Sequence, residues 1–218
     1  MAKNNQSTPV YIIKIVYPLI VICAVIALLV AAVNMVTAPV IDNMAKEERN
    51  ASIRTLFSDE NAKIDEETLF EIPEEHTKVI DKISRVVTVS EDGTETLLGY
   101  CVQLSPNGFK GKVDLLAAFN TEGLVIGVDV TSTNDETKGF GTKVNEPSYE
   151  SLFIENENKT LPEQVSKDLI ISGATKTSKP VAQSVLTAKS VLSQILSAEL
   201  VEEGVSDEAV VEEQEAAE

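Results

Sequence analysis

Apolar and polar positions divide the chain into stretches of very different rhythm. From Ile15 to Ile41 no residue is charged, and Val21–Val33 is almost wholly aliphatic. A helix needs about 20 such residues to cross the hydrocarbon core of a bilayer. The alternatives are a cleaved signal peptide and a buried helix of a soluble domain. The run exceeds the roughly 7–15 residues of a signal h-region, and Asn34–Pro39 offers a poor cleavage site. The pattern therefore predicts a transmembrane helix over residues 15–41, after a short N-terminal segment of residues 1–14. Beyond it, Ala51, Ile53, Leu56 and Phe57 recur amid charges, as in a connector helix over Lys46–Phe57.

The rhythm then shortens to two. Ile83–Val89 and Leu97–Leu104 flank Glu91-Asp92-Gly93-Thr94, which reads as a hairpin. Lys112–Phe119 and Leu124–Thr131 flank Asn120-Thr121-Glu122-Gly123 and read as a second. Ile126, Val128 and Val130 alternate there with Gly127, Asp129 and Thr131, as a half-buried strand requires. A glycine-punctuated loop, Thr133–Gly141, follows, then a short helix around Tyr149–Phe153 and a strand-like Leu169–Ser172. From Pro180 to Ala198, Val181, Val185, Ala188, Leu192, Ile195 and Leu196 line one helical face. Glu199–Glu218 has acids but no Lys or Arg and little to build a core, which predicts a disordered tail over residues 199–218. The order of elements predicts an α+β domain over residues 42–198 with a mainly antiparallel sheet and flanking helices.

Charge and composition narrow the functions. A formal net charge of -17, with no cluster of Lys and Arg, argues against a nucleic-acid partner. Cys23 lies in the apolar run and Cys101 in a strand, so no disulfide, zinc or iron–sulfur site is expected, and no metal. His76, the single histidine, sits in a polar stretch and reads as a solvated surface residue. Lys3 and Lys14 precede the apolar run, whereas the residues just after it carry no net positive charge, so the positive-inside rule places the N-terminus in the cytoplasm. The soluble domain is then expected on the extracytoplasmic side of the cell membrane.

Ser172-Gly173-Ala174-Thr175-Lys176-Thr177-Ser178 is the stretch richest in chemistry. It sets small residues and hydroxyls between a strand and a helix start marked by Pro180. One reading is structural: a strand-to-helix turn with a hydroxyl cap. The other is functional: free N–H groups and the positive end of a helix dipole bind phosphate, and Gly173 and Ala174 admit a bulky ligand close to the backbone.

These residues resemble a known family, the covalent FMN-binding subunits of the membrane-bound Rnf and sodium-pumping NADH:quinone oxidoreductase complexes. Ser172-Gly173-Ala174-Thr175, with Thr177 and Ser178 behind it, is similar to the Ser/Thr-Gly-Ala-Thr motif whose final threonine receives FMN through a phosphoester. Glu136-Thr137-Lys138-Gly139-Phe140-Gly141 looks like the family's Glu-Thr-Pro-Gly-Leu-Gly loop, and Gly108-Phe109-Lys110-Gly111 its Gly-Tyr-x-Gly. All three stand in the family's order behind one span. The chain departs from the pattern at Leu169, where many members carry Asp, and at Lys138, where Pro is usual. Lys138 could offer the flavin a positive charge or simply be solvated.

The resemblance implies one covalent FMN per chain, attached at Thr175, with Ser172, Gly173, Ala174, Thr177, Ser178, Glu136, Thr137, Gly139, Phe140 and Gly141 around it. It implies an electron-carrier subunit of an ion-translocating complex of the ferredoxin:NAD type, with other membrane subunits and a flavin transferase as partners. No catalytic acid, base or nucleophile is then expected of this chain. The compact length is similar to the Rnf branch of the family. The competing classes are a membrane-anchored binding or structural module without flavin and a stand-alone extracellular flavoprotein.

Overall fold

The computed structural model describes residues 8–215 except 66, 67, 69, 91, 92, 134, 135 and 157, with side chains described from residue 16 to 198 apart from these and Asp42. The chain divides into two compact units, Met1–Glu48 and Arg49–Glu218.

The first unit is the greater part of helix α1, Thr8–Phe57. It holds a window of mean hydropathy 3.0, none of it buried, and is long and apolar enough to cross a membrane. Large apolar side chains from Tyr17 to Met44 are exposed along it. The connector expected over Lys46–Phe57 is not a separate helix. It is the end of α1, because no Gly or Pro stands between Pro39 and Phe57 to break the hydrogen-bond ladder.

The second unit is built on a five-stranded antiparallel sheet: β1 (Ala62–Ile64), β2 (Ile80–Val89), β3 (Glu95–Leu104), β4 (Asp114–Asn120) and β5 (Val125–Ser132), in spatial order 1-2-3-4-5. The two predicted hairpins are β2–β3 and β4–β5. The first turn includes Glu91 and Asp92, which lie outside the described residues. β1 was not foreseen, since three residues are too few to show a period. α2 (Pro147–Glu150) runs into a 3-10 turn, Ser151–Phe153, and α3 (Thr175–Glu215) closes the chain. The domain is α+β.

Both faces of the sheet are covered. On one, Ile83, Val102, Leu115, Ala117, Phe119 and Val130 pack with Tyr149 and Phe153 and with Val181, Val185, Ala188 and Leu192 of α3. On the other, Ile53, Leu56 and Phe57 at the end of α1 meet Val86, Cys101 and Leu116. Gly127 of β5 faces Leu56 so closely that any side chain there would collide with it. Double burial explains why β4 is buried without alternation from Leu115 to Phe119. Burial also pushes the Cys101 thiol up to about 12, leaving it an inert core residue.

Three expectations are corrected. Leu169–Ser172 is not a strand: Lys167–Leu169 forms a 3-10 turn, and Ile171 leads into the turn before α3. α3 begins at Thr175, so Pro180 lies inside the helix rather than at its first position. Its backbone also continues to Glu215, where a disordered tail was expected from residue 199. Ala, Glu and Gln are good helix formers even where composition denies a core, and Gly204 is the one glycine in that stretch.

Candidate functional site

The loops that carry the three motifs meet. Phe109, Glu136, Thr137, Phe140, Gly141 and the run Gly173–Thr177 line a pocket of about 520 Å³. Segments separated by some tens of residues thus share one wall, and a buried carboxylate joins them. Glu136 is 7% exposed. Its Oε1 accepts the Phe109 N–H at 2.6 Å and the Lys110 N–H at 3.2 Å, and its Oε2 accepts the Thr177 hydroxyl at 3.0 Å. Gly108 and Gly141 flank this carboxylate so tightly that a β-carbon at either would strike it. The glycines that begin one motif and end another are therefore demanded by close approach.

The start of α3 is organised from beneath. The Tyr149 hydroxyl lies 3.1 Å from the Leu169 carbonyl and 3.0 Å from that of Ser178. The Ser178 hydroxyl accepts the Ile171 N–H and donates to the Ala174 carbonyl, both at 3.0 Å. Burial raises the Tyr149 pKa well above its ordinary value, so its hydroxyl stays protonated as a donor. Gly173 turns the chain with φ 84°, a left-handed conformation that a side chain would strain, and a β-carbon there would stand 3.5 Å from the Phe140 ring.

This leaves the hydroxyls of the motif in different states. Thr177 and Ser178 are buried and engaged, whereas Thr175 is exposed, lines the pocket, and makes no side-chain hydrogen bond among the described residues. The Thr177 and Ser178 N–H groups both go to the Ala174 carbonyl. Those of Thr175 and Lys176 have no acceptor among the described residues. An open hydroxyl thus stands beside two free N–H groups at the positive end of a helix, an arrangement suited to a phosphate monoanion.

Of the residues singled out in the sequence, Glu136, Thr137, Phe140, Gly141, Gly173, Ala174, Thr175 and Thr177 line the pocket. Ser172, Gly139 and Ser178 do not; Ser172 is exposed, and the Gly139 N–H donates to the Thr142 hydroxyl at 3.0 Å. Lys138 is exposed and outside the pocket. Leu169 is a core residue, 4% exposed, which accounts for an apolar side chain where Asp is usual; Asp168 is exposed. Two lining residues escaped the sequence reading as site residues. Phe109 and Lys176 stack at the pocket, with the Lys176 Nζ 5.1 Å from the ring centroid. An exposed aromatic beside a glycine was the available signal.

The geometry can be set beside known proteins. Residues 108–190 match the FMN-binding domain family. The match begins at Gly108 and encloses all three motifs. The chain is also similar to the G component of the proton-translocating ferredoxin:NAD(+) oxidoreductase complex of Clostridium ljungdahlii. Identity is 27% over 195 residues, covering 86% of this chain and 94% of that protein. Among solved structures it is similar to the C component of the Na(+)-translocating NADH-quinone reductase of Parabacteroides distasonis. There the TM-score is 0.40 at 21% identity, over 58% of this chain and 68% of that one.

The FMN-binding match agrees with what the residues offer. The volume lies in the range of roughly 300–1,000 Å³ usual for cofactor sites. Two half-exposed aromatics, Phe109 and Phe140, give apolar walls for a planar ring, and the helix start suits the phosphate.

Proposed function

We propose that this chain is the electron-carrier subunit of a membrane oxidoreductase complex of the ferredoxin:NAD type, working through FMN joined covalently to Thr175. The observation that carries the reading is the convergence of three motifs on one pocket whose open hydroxyl is Thr175. A bound FMN supplies the exchange of one or two electrons. The chain's own residues supply the seat. Thr175 would offer the ester oxygen, and the Thr175 and Lys176 N–H groups, which have no acceptor among the described residues, would hold the phosphate. Glu136 holds the Phe109 loop against α3, and Phe109 and Phe140 give the pocket apolar walls.

Attachment keeps the carrier from being lost, and the α1 anchor keeps its effective concentration near its partners high. The domain stands on the extracytoplasmic side, and a flavin transferase loads it. No charged residue lies in 15–41, so the ion path belongs to other subunits of the complex.

The test is in-gel fluorescence of denatured protein made together with its native flavin transferase. Wild type and Thr177→Val are expected to fluoresce and Thr175→Val to be dark. A dark wild type overturns the covalent reading and favours a binding module without flavin; a fluorescent Thr175→Val moves the attachment site.

A further inference from the structure

The pocket is electrically lopsided. Glu136 turns both carboxylate oxygens onto the Phe109, Lys110 and Thr177 donors. Among the described residues lining the pocket, Lys176 is the only cation. Its ammonium rides over the Phe109 ring, 5.1 Å from the centroid. Lys138, the other candidate charge for the flavin, lies outside.

We propose that Lys176 sets the redox balance of the flavin held in this pocket, its ammonium favouring the reduced and more negative ring. The proposal rests on the flavin reading above. Two constraints aim the charge. The start of α3 places Lys176 one residue after the attachment threonine. The Phe109 ring holds the far end of its side chain against the pocket wall, and the Phe109 N–H is itself fixed by Glu136 at 2.6 Å. Reduction adds electrons to a ring lying in a site partly shielded from water, where a nearby charge acts more strongly than in bulk solvent. A lysine that merely decorated an exposed aromatic would leave the flavin's potential untouched.

The experiment uses the full chain loaded by its transferase and titrated with dithionite, with the midpoint potential read from the flavin spectrum. Lys176→Gln is expected to shift the ratio of oxidised to reduced flavin at a fixed potential about tenfold toward the oxidised form, about 30 mV for a two-electron couple. Lys176→Arg keeps the charge and Lys138→Gln removes one outside the pocket, so both should stay at the wild-type potential. A Lys176→Gln protein at the wild-type potential, or a Lys138→Gln protein displaced as far, overturns the proposal. In-gel fluorescence lost in Lys176→Gln but kept in Lys176→Arg would assign the charge to loading and overturn it too. A dark wild type overturns the flavin reading and this proposal with it, whereas a fluorescent wild type with an unmoved Lys176→Gln overturns this proposal alone.

Discussion

Among the described residues two carboxylates are buried, Glu136 at the pocket and Glu155 away from it, and they are stabilised by different means. Glu155 holds a cation: the Lys189 Nζ lies 2.5 Å from its Oε1, which also accepts the Leu161 N–H, while Oε2 accepts that of Val125. It ties the segment around residues 155–161 to β5 and α3. Burial pushes its pKa up, but Lys189 and the two N–H groups outweigh burial, and the net shift is downward. Glu136 has neutral donors alone among its described hydrogen bonds, drawn from two other segments that line the pocket. A clamp remote from the pocket can neutralise its carboxylate with a lysine. In the pocket, Glu136 leaves the lysine to the Phe109 ring, with the Lys176 Nζ 5.1 Å from its centroid.

On this contrast, the two carboxylates separate stability from loading. Glu155→Ala should show the largest loss of stability, about 3 kcal/mol, because removing one partner strands the other charge. Chemical denaturation should show the drop at unchanged slope, with in-gel flavin fluorescence retained. Glu136→Ala should cost less, about 2 kcal/mol for three donors left without their acceptor. It should nevertheless lower flavin loading about tenfold, since the Phe109 loop loses its tie to α3; equal loading in the two variants would remove the distinction.

Acidification sharpens the comparison further. A carboxyl whose folded pKa lies below its ordinary value of 4.5 contributes stability above that value and loses it as pH falls through the lower folded one. The stability difference between wild type and Glu155→Gln should accordingly be full at neutral pH and shrink below about pH 4.5. The smallest effect is expected of Thr177→Val, which removes one of the three hydrogen bonds to Glu136 and should cost about 1 kcal/mol in a melt while leaving fluorescence in place.

The hairpins and the long apolar helix were legible because period-two alternation, turn residues and an unbroken apolar run are local signals. The segment before α3 was misread for an equally definite reason. Leu169, Ile170 and Ile171 look like a strand, yet the Leu169 carbonyl meets the Tyr149 hydroxyl and the Ile171 N–H meets the Ser178 hydroxyl. Side chains thus take backbone groups that a neighbouring strand would have used. Pro180 misplaced the helix start because proline marks the first turn by rule. Here it sits in the second, and the bond it omits would have gone to the Lys176 carbonyl near the helix end.

By itself the sequence determined an apolar helix of spanning length, two hairpins of a mainly antiparallel sheet, and three motifs in an order that resembles flavin-carrying subunits. Those properties depend on neighbours a few residues apart. Only the tertiary structure decided which hydroxyl of the glycine-alanine turn opens onto the pocket. Thr177 is engaged by Glu136, 41 positions away, and the Ser178 carbonyl by Tyr149, 29 away, while Thr175 is left to the pocket. Whether a polar group is spent or free depends on what the fold brings beside it, and no local pattern contains that information.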